Sequence, residues 1–248
     1  MRLLAMDGCA GGWLLLSLPA RSAQPSASIV PSLADLSPVL KRGDLLALDM
    51  PIGLMPASLE TGAKRLCDAA AKRALSRRAS CLFPAPAREL LDAAEDYPAA
   101  NAWHRRHCGL GLSKQLFNIL PKIRELDAWL HSQANIREQV VEVHPELSFA
   151  YWSQGGHKAE ALQPSKQSAA GRLMRAQMIE AEWPKALGQC RAALGPKSQR
   201  GRRRWAEDDL LDAFAALWSA RRIAQGLAIA HPSEVQRDAQ GLRMAIWA

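Results

Sequence analysis

The sequence predicts a mixed α/β fold, with a sheet that is antiparallel across its first three strands and parallel thereafter, flanked by helices and carrying a mainly helical insertion. Three observations predict it. Leu3-Leu4-Ala5-Met6 and Trp13-Leu14-Leu15-Leu16 are apolar runs of strand length joined through a turn containing Gly8, Gly11 and Gly12, which describes a hairpin. Leu45-Leu46-Ala47-Leu48 is a fully apolar strand reached after a short helical segment, so a crossover adds it in parallel. From about residue 55 to about residue 135 the chain is rich in Ala, Leu, Lys and Arg at helical spacing. The 248 residues are therefore read as a single domain, 1–248, with an insertion at about 55–135.

The first hairpin ends its leading strand on Asp7. That aspartate is either a turn-forming side chain or the first ligand of a site, and the glycines around it let a bulky partner such as phosphate or a hydrated metal approach the backbone. A Pro/Ser-rich connection, residues 19–25, leads to Ser26–Val30 as a third strand. Ser32 followed by Asp35 reads as a capping box opening a short helix that ends near Gly43. The strand Leu45–Leu48 also ends in an aspartate, Asp49, and Pro51 keeps it from running on into a helix. Two strands thus deliver carboxylates at their C-terminal ends, the end at which open α/β sheets bind ligands.

Helices are expected over Ser58–Ser76, Ala87–Glu95, Pro98–His107 and Ser113–Leu130, the last bent or broken at Pro121. Arg65, Lys72, Arg73, Arg77 and Arg78 place cations near helix and loop ends, as phosphate contacts or as a solvated face. Val140–His144 is a short β-branched strand with Glu142 embedded in it, a residue costly to bury unless it is paired or metal-bound. Polar loops follow, including Ser165-Lys166, with a helix around Gly171–Glu182. Arg200, Arg202, Arg203 and Arg204 then form the densest basic run, either a guide for an anionic polymer or a solvated loop. The final helix runs from about Trp205 to Gln225 with an apolar stripe at Leu210/Leu211, Phe214 and Leu217/Trp218. Asp209 and Asp212 lie about 60° apart around it. Acids in its first turn suit the helix dipole, which accounts for Glu207 and Asp208, whereas Asp212 is followed by the small Ala213, which lets the helix sit close to a strand. A terminal strand is expected over Leu242–Trp247.

Composition bounds the function without naming it. With 48% hydrophobic and 23% charged residues the chain falls among globular proteins, and no apolar run has the length of a membrane span. The N-terminal segment is interrupted by Asp7 and glycines, so no signal peptide is expected. Five cysteines, an odd and scattered set without a C-x-x-C pair, argue against a disulfide framework or a zinc site and point to a cytoplasmic setting. His104, His107 and Cys108 are close in sequence but have no second ligand pair, and fit a solvated helix face. A net charge of +8 suggests an anionic partner.

Five ordered motifs then carry a resemblance. They are Asp7-Gly8-Cys9-Ala10-Gly11-Gly12-Trp13, Asp49-Met50-Pro51-Ile52-Gly53-Leu54, Ser113-Lys114-Gln115 with Lys122-Ile123-Arg124-Glu125-Leu126-Asp127, Glu142-Val143-His144-Pro145-Glu146, and Asp208-Asp209-Leu210-Leu211-Asp212-Ala213. Together, over residues 1 to about 225, the chain resembles the domain-of-unknown-function 429 family, bacterial and archaeal proteins usually described as predicted ribonuclease H-like nucleases. The resemblance implies a ribonuclease H-like sheet with acids on the first strand, at the end of the fourth and on the C-terminal helix. Asp7, Asp49 and Asp212 fall in those places, with Asp209 or Asp208 as a fourth. The acid on the fourth strand is commonly Glu in the resolvase-type branch, and the shorter Asp49 stands here.

The expectation is a phosphodiester hydrolase in which Asp7, Asp49, Asp209 and Asp212 hold Mg²⁺ or Mn²⁺, with Glu142 an additional catalytic candidate. Lys114, Gln115, Lys122, Arg202 and Arg203 are the candidate contacts to substrate. The expected partner is nucleic acid, DNA or RNA, with a homodimer possible and no membrane. Two other readings stay open. One is a nucleotide-binding phosphotransferase or ATPase of actin-like fold, with the Gly8–Gly12 turn cradling phosphate. The other is a non-catalytic nucleic-acid-binding protein, whose salt-sensitive binding would survive loss of the aspartates.

Overall fold

The structure, a computed structural model, describes residues 1–93 and 96–248. Its centre is a seven-stranded sheet in the order β3-β2-β1-β4-β5-β9-β8. The strands are β1 (Arg2–Cys9), β2 (Gly12–Pro19), β3 (Ser26–Val30), β4 (Leu45–Leu48), β5 (Val140–Val143), β8 (Ala230–Arg237) and β9 (Arg243–Trp247), and a separate small hairpin pairs β6 (Ser198–Gln199) with β7 (Arg202–Arg203). The first three strands are antiparallel, then β1, β4, β5 and β9 run parallel. The edge strand β8 returns antiparallel to β9, and sequence reading did not anticipate it.

The pleat sorts each strand onto two cores. Leu3, Ala5, Ala47, Val141 and Val143 face one cluster, which also holds residues of α1 (Leu66–Leu75), α5 (Pro145–Trp152), α6 (Ala169–Glu182), α7 (Ala186–Leu194) and α8 (Glu207–Ala224). Leu4, Met6, Leu46, Leu48 and Val140 face the other, which holds residues of α2 (Leu90–Ala93), α3 (Tyr97–Cys108) and α4 (Lys114–Ser132). Helices therefore cover both faces, as a central parallel sheet requires. Ala213, Ala216 and Ala220 are fully buried along α8, and these small side chains let it lie close across β1 and β4.

Several helical expectations change. The segment read as a helix over Ser58–Ser76 is helical only from Leu66, after turns through Gly62 and Ala63 at positive φ. The helix expected to end near Gly43 is a single 3₁₀ turn, Leu33–Leu36, opened by Asp35 accepting the Ser32 N–H at 3.1 Å. The helix expected over Ala87–Glu95 is described only over Leu90–Ala93, and its end at Glu95 lies outside the described residues. Pro121 does not break α4, which continues through it for 19 residues. Helices α5 and α7 were not foreseen; Pro145 sits at the start of α5, where its missing N–H costs nothing.

The basic run forms a small hairpin. Arg200 and Gly201 both take positive φ (50° and 75°), giving the primed two-residue turn that joins β6 to β7. Its end is fastened to the first hairpin, because the Gly11 N–H donates to the Arg204 carbonyl at 2.7 Å. That bond sets where α8 begins relative to β1.

Candidate active site

The register brings the first two candidate acids side by side. Met6 pairs with Leu48, and the Asp49 N–H donates to the Met6 carbonyl at 3.2 Å. Asp7 and Asp49 are thus the next residues on adjacent parallel strands, and both follow Ala5 and Ala47 onto the α8 face by the period of two. Across from them α8 presents Asp212, which is only 5% exposed. Its Oδ2 accepts from Lys166 Nζ at 2.6 Å, and its Oδ1 is buried without a partner. Asp209 is half-buried on the same helix, where its Oδ2 accepts the Ala206 N–H at 2.7 Å. It therefore caps α8 as well as adding charge to the cluster.

These charges repel in a place that solvates them poorly. Burial holds the Asp7 carboxyl well above the usual carboxylate range, helped by Asp212, Asp49 and Asp209 and opposed by Lys166. Asp49 is pushed up to about 8, first by burial and then by Asp212, against the pull of Lys166. Asp212 is raised by burial despite its bond to Lys166. A carboxyl that titrates higher folded than unfolded favours the native state below its ordinary range, near pH 4, and loses that contribution as pH rises through its folded value. The melting temperature of the wild type, followed by circular dichroism without divalent cation, is therefore expected to fall from pH 6 to pH 9 more steeply than that of Asp49→Asn. Parallel curves for the two proteins would refute the assignment.

Asp7 and Asp49, but not Asp209 or Asp212, line a cavity of about 630 Å³ together with Gln115, Lys122 and Lys166. Of the residues expected to touch substrate, Gln115 and Lys122 line it. Lys114 does not, and Arg202 and Arg203, exposed on the β6–β7 hairpin, are not part of the lining, although the Arg203 charge acts on Asp209. Lys122 also has a local task, since its Nζ donates to the Gly12 carbonyl at 2.5 Å and lies 4.5 Å from the centre of the Trp13 ring.

The glycine turn is closed by protein. A Cβ at Gly8 would meet Lys122 Cδ at 2.7 Å, and one at Gly12 would meet the Val30 carbonyl at 2.4 Å. The close partner that those glycines admit is the chain itself.

Glu142 lines the same cavity. By the pleat it belongs to the face of Val140 and Leu48, and both its oxygens have partners. Arg65 bonds each at 2.8 Å, and the Ile52 N–H donates to Oε2 at 2.8 Å. Arg65, 1% exposed, is therefore a buried counter-ion and no phosphate contact. Glu146 is held in the same way by Arg175, at 2.7 and 2.9 Å, and by Arg78 at 3.2 Å. Further motif residues hold the fold. Glu125 accepts from Trp13 Nε1 at 3.0 Å and from the Leu33 N–H at 2.6 Å, while Asp127 accepts from Arg88 at 2.9 Å. His104 and His107 each bond a backbone carbonyl through Nδ1, at 2.7 and 2.9 Å, and Cys108 is a buried free thiol.

The donor chemistry of Asp7, Asp49 and Asp212 suits a hard divalent cation, and the orphaned Asp212 oxygen is a free ligand position. As they stand, no three His, Cys, Asp or Glu side chains among the described residues converge closely enough to hold an ion, and the cation among the acids is Lys166.

The chain matches the family described as Protein of unknown function (DUF429) over residues 6–237. It belongs to that family. The DUF429 match spans both strands that carry Asp7 and Asp49, the helical insertion, and α8. No curated protein and no solved structure matches this DUF429 chain. Among the described residues no helix is long and apolar enough to cross a membrane.

Proposed function

We propose that this DUF429 protein is a metal-dependent nuclease of ribonuclease H-like type, hydrolysing phosphodiester bonds with Asp7, Asp49 and Asp212 as its catalytic acids. One observation carries the reading: Asp212, almost wholly buried, keeps one oxygen without a partner while its charge bears on Asp7 and Asp49, which line a cavity. Buried polar atoms without partners are rare and costly, so an arrangement that keeps three acids together at the C-terminal edge of a parallel sheet points to a ligand that neutralises them.

Mg²⁺ or Mn²⁺ bound by these carboxylates supplies a Lewis acid for a phosphoryl oxygen and lowers the pKa of water. The chain's own residues do the rest. Asp7 and Asp49 come from adjacent strands whose register is set by the β1–β4 pairing, and Asp212 from α8, which packs across both strands, so the backbones that carry the acids are set before substrate arrives. Gln115 on α4 offers an amide on the cavity wall, and the Lys122 ammonium places positive charge beside the acids for a phosphate to meet. The net charge of +8 draws a polyanion toward the molecule.

The test is hydrolysis of single-stranded, duplex and branched DNA and RNA and of a small phosphodiester, with Mg²⁺ or Mn²⁺ and then with EDTA. Cleavage of at least one substrate with the cation, falling to background in EDTA and returning when cation is restored, is the expected result. Cleavage that persists in EDTA would refute the reading, as would none on any substrate.

A further inference from the structure

Lys166 is a cation that none of the sequence motifs contains, yet it reaches the centre of the acids. Its Nζ lies 2.6 Å from Asp212 Oδ2. Resting on the reading above, we infer that Lys166 stands in the place of a second divalent cation, so that this centre binds one Mg²⁺ or Mn²⁺ per chain and not two.

Charge decides the count. Asp7, Asp49 and Asp212 together carry three negative charges when ionised, and Lys166 leaves two, which one divalent cation cancels. A second divalent ion would leave two uncompensated positive charges in a buried site, where unpaired charge is strongly disfavoured. Nearby charged groups do not alter this balance. Glu142 and Asp68 are matched by Arg65, and Glu146 by Arg175 and Arg78. The deficit of one set equals the excess of the other. Asp208 and Asp209 add two negative charges, which Arg203, acting on Asp209, and Lys122, on the cavity wall, offset.

Geometry keeps the lysine there. Its loop is pinned at both ends: Ser168 Oγ donates to the Ser165 carbonyl at 2.8 Å, and Arg172 Nη1 to the Gln167 carbonyl at 2.7 Å. A Cβ at Gly171 would fall 2.0 Å from the Ser165 carbonyl, so only glycine lets this loop lie against the first turn of α6. The ammonium is therefore held by a tight backbone, while Asp212 Oδ1 stays available for the single ion.

The experiment counts bound Mn²⁺ on the full chain by isothermal titration calorimetry, checked against the free ion by electron paramagnetic resonance. One ion per wild-type chain and one in Lys166→Arg, which keeps the charge, are expected, with two in Lys166→Met and Lys166→Gln. Two ions in the wild type would overturn the inference and leave the nuclease reading standing. A single ion in folded Lys166→Met and Lys166→Gln would also overturn it, since the lysine would then occupy no cation position. No ion in the wild type would overturn both this inference and the metal-dependent reading beneath it. Should the neutral variants fail to fold, the wild-type count decides, one ion supporting the inference and two overturning it.

Discussion

Asp7→Asn is expected to lower metal-dependent cleavage by about 100-fold or more, a loss of about 2.7 kcal/mol in transition-state stabilisation, while raising the melting temperature of the cation-free protein. The two effects share one cause. Asp7 is buried against Asp212, Asp49 and Asp209, and the native state holds its carboxyl well above the ordinary range. An amide of the same shape removes one repelling charge, so the fold gains what the cation loses, as is common where active sites are built at the expense of stability. Asp212→Asn should lose activity to a similar degree and move stability the other way, because Lys166 would lose the partner it holds at 2.6 Å. Assay of cleavage and of thermal unfolding in both variants separates these outcomes. Equal activity in wild type and Asp7→Asn would remove the acids from the chemistry, and a lowered melting temperature in Asp7→Asn would show that the cluster is not under charge repulsion.

The acids were legible in the sequence because each ends or interrupts an apolar pattern. Asp7 ends the apolar run Leu3–Met6 inside β1, Asp49 directly follows the apolar strand β4, and Asp212 breaks the buried stripe of a helix beside Ala213. Strand periodicity puts both on one face if their strands are neighbours, and the parallel pairing of β1 with β4 makes them so. Their counter-ions were not legible. Lys166 lies 46 residues from Asp212, and Arg65 lies 77 from Glu142, so no local spacing announces either pair. A lysine in a polar loop looks like any solvated lysine until the loop is placed. The same holds for β8, Ala230–Arg237, whose sequence AHPSEVQR contains a proline and mostly polar side chains. It is an edge strand paired on one side with an irregular register, so it lacks the apolar alternation that betrays a central strand. The glycines of the first turn were recognised as sites of close approach, but what approaches, Lys122 and the Val30–Pro31 backbone, comes from elsewhere in the chain.

Replacing Arg65 should be the most damaging single change to stability. Its guanidinium, 1% exposed, donates from Nη1 to Glu142 Oε2 at 2.8 Å and to the carbonyls of Ile52 and Gly53 at 3.1 and 3.3 Å. Nη2 bonds Glu142 Oε1 at 2.8 Å and also Asp68, whose other oxygen accepts from Nε at 3.2 Å and from the Ala85 N–H at 3.0 Å. Arg65→Met leaves two buried carboxylates without their counter-ion, at a cost of about 3–5 kcal/mol. Against a total stability of about 5–15 kcal/mol that is a large fraction. Arg65→Lys should recover little of it, because a single ammonium cannot reproduce a planar fork that meets Glu142 through two nitrogens. Adding Glu142→Gln to Arg65→Met removes one of the two stranded charges, so the double variant should be more stable than the sum of the single changes predicts. Urea denaturation of the four proteins measures this coupling. Because the same network fixes Ile52 and Gly53, three and four residues beyond Asp49, its loss reaches the acid cluster through the backbone. Cleavage by Arg65→Lys should therefore fall under conditions in which the variant is still folded. Stability of Arg65→Lys within about 1 kcal/mol of the wild type would show that charge alone, without the fork, holds this part of the fold.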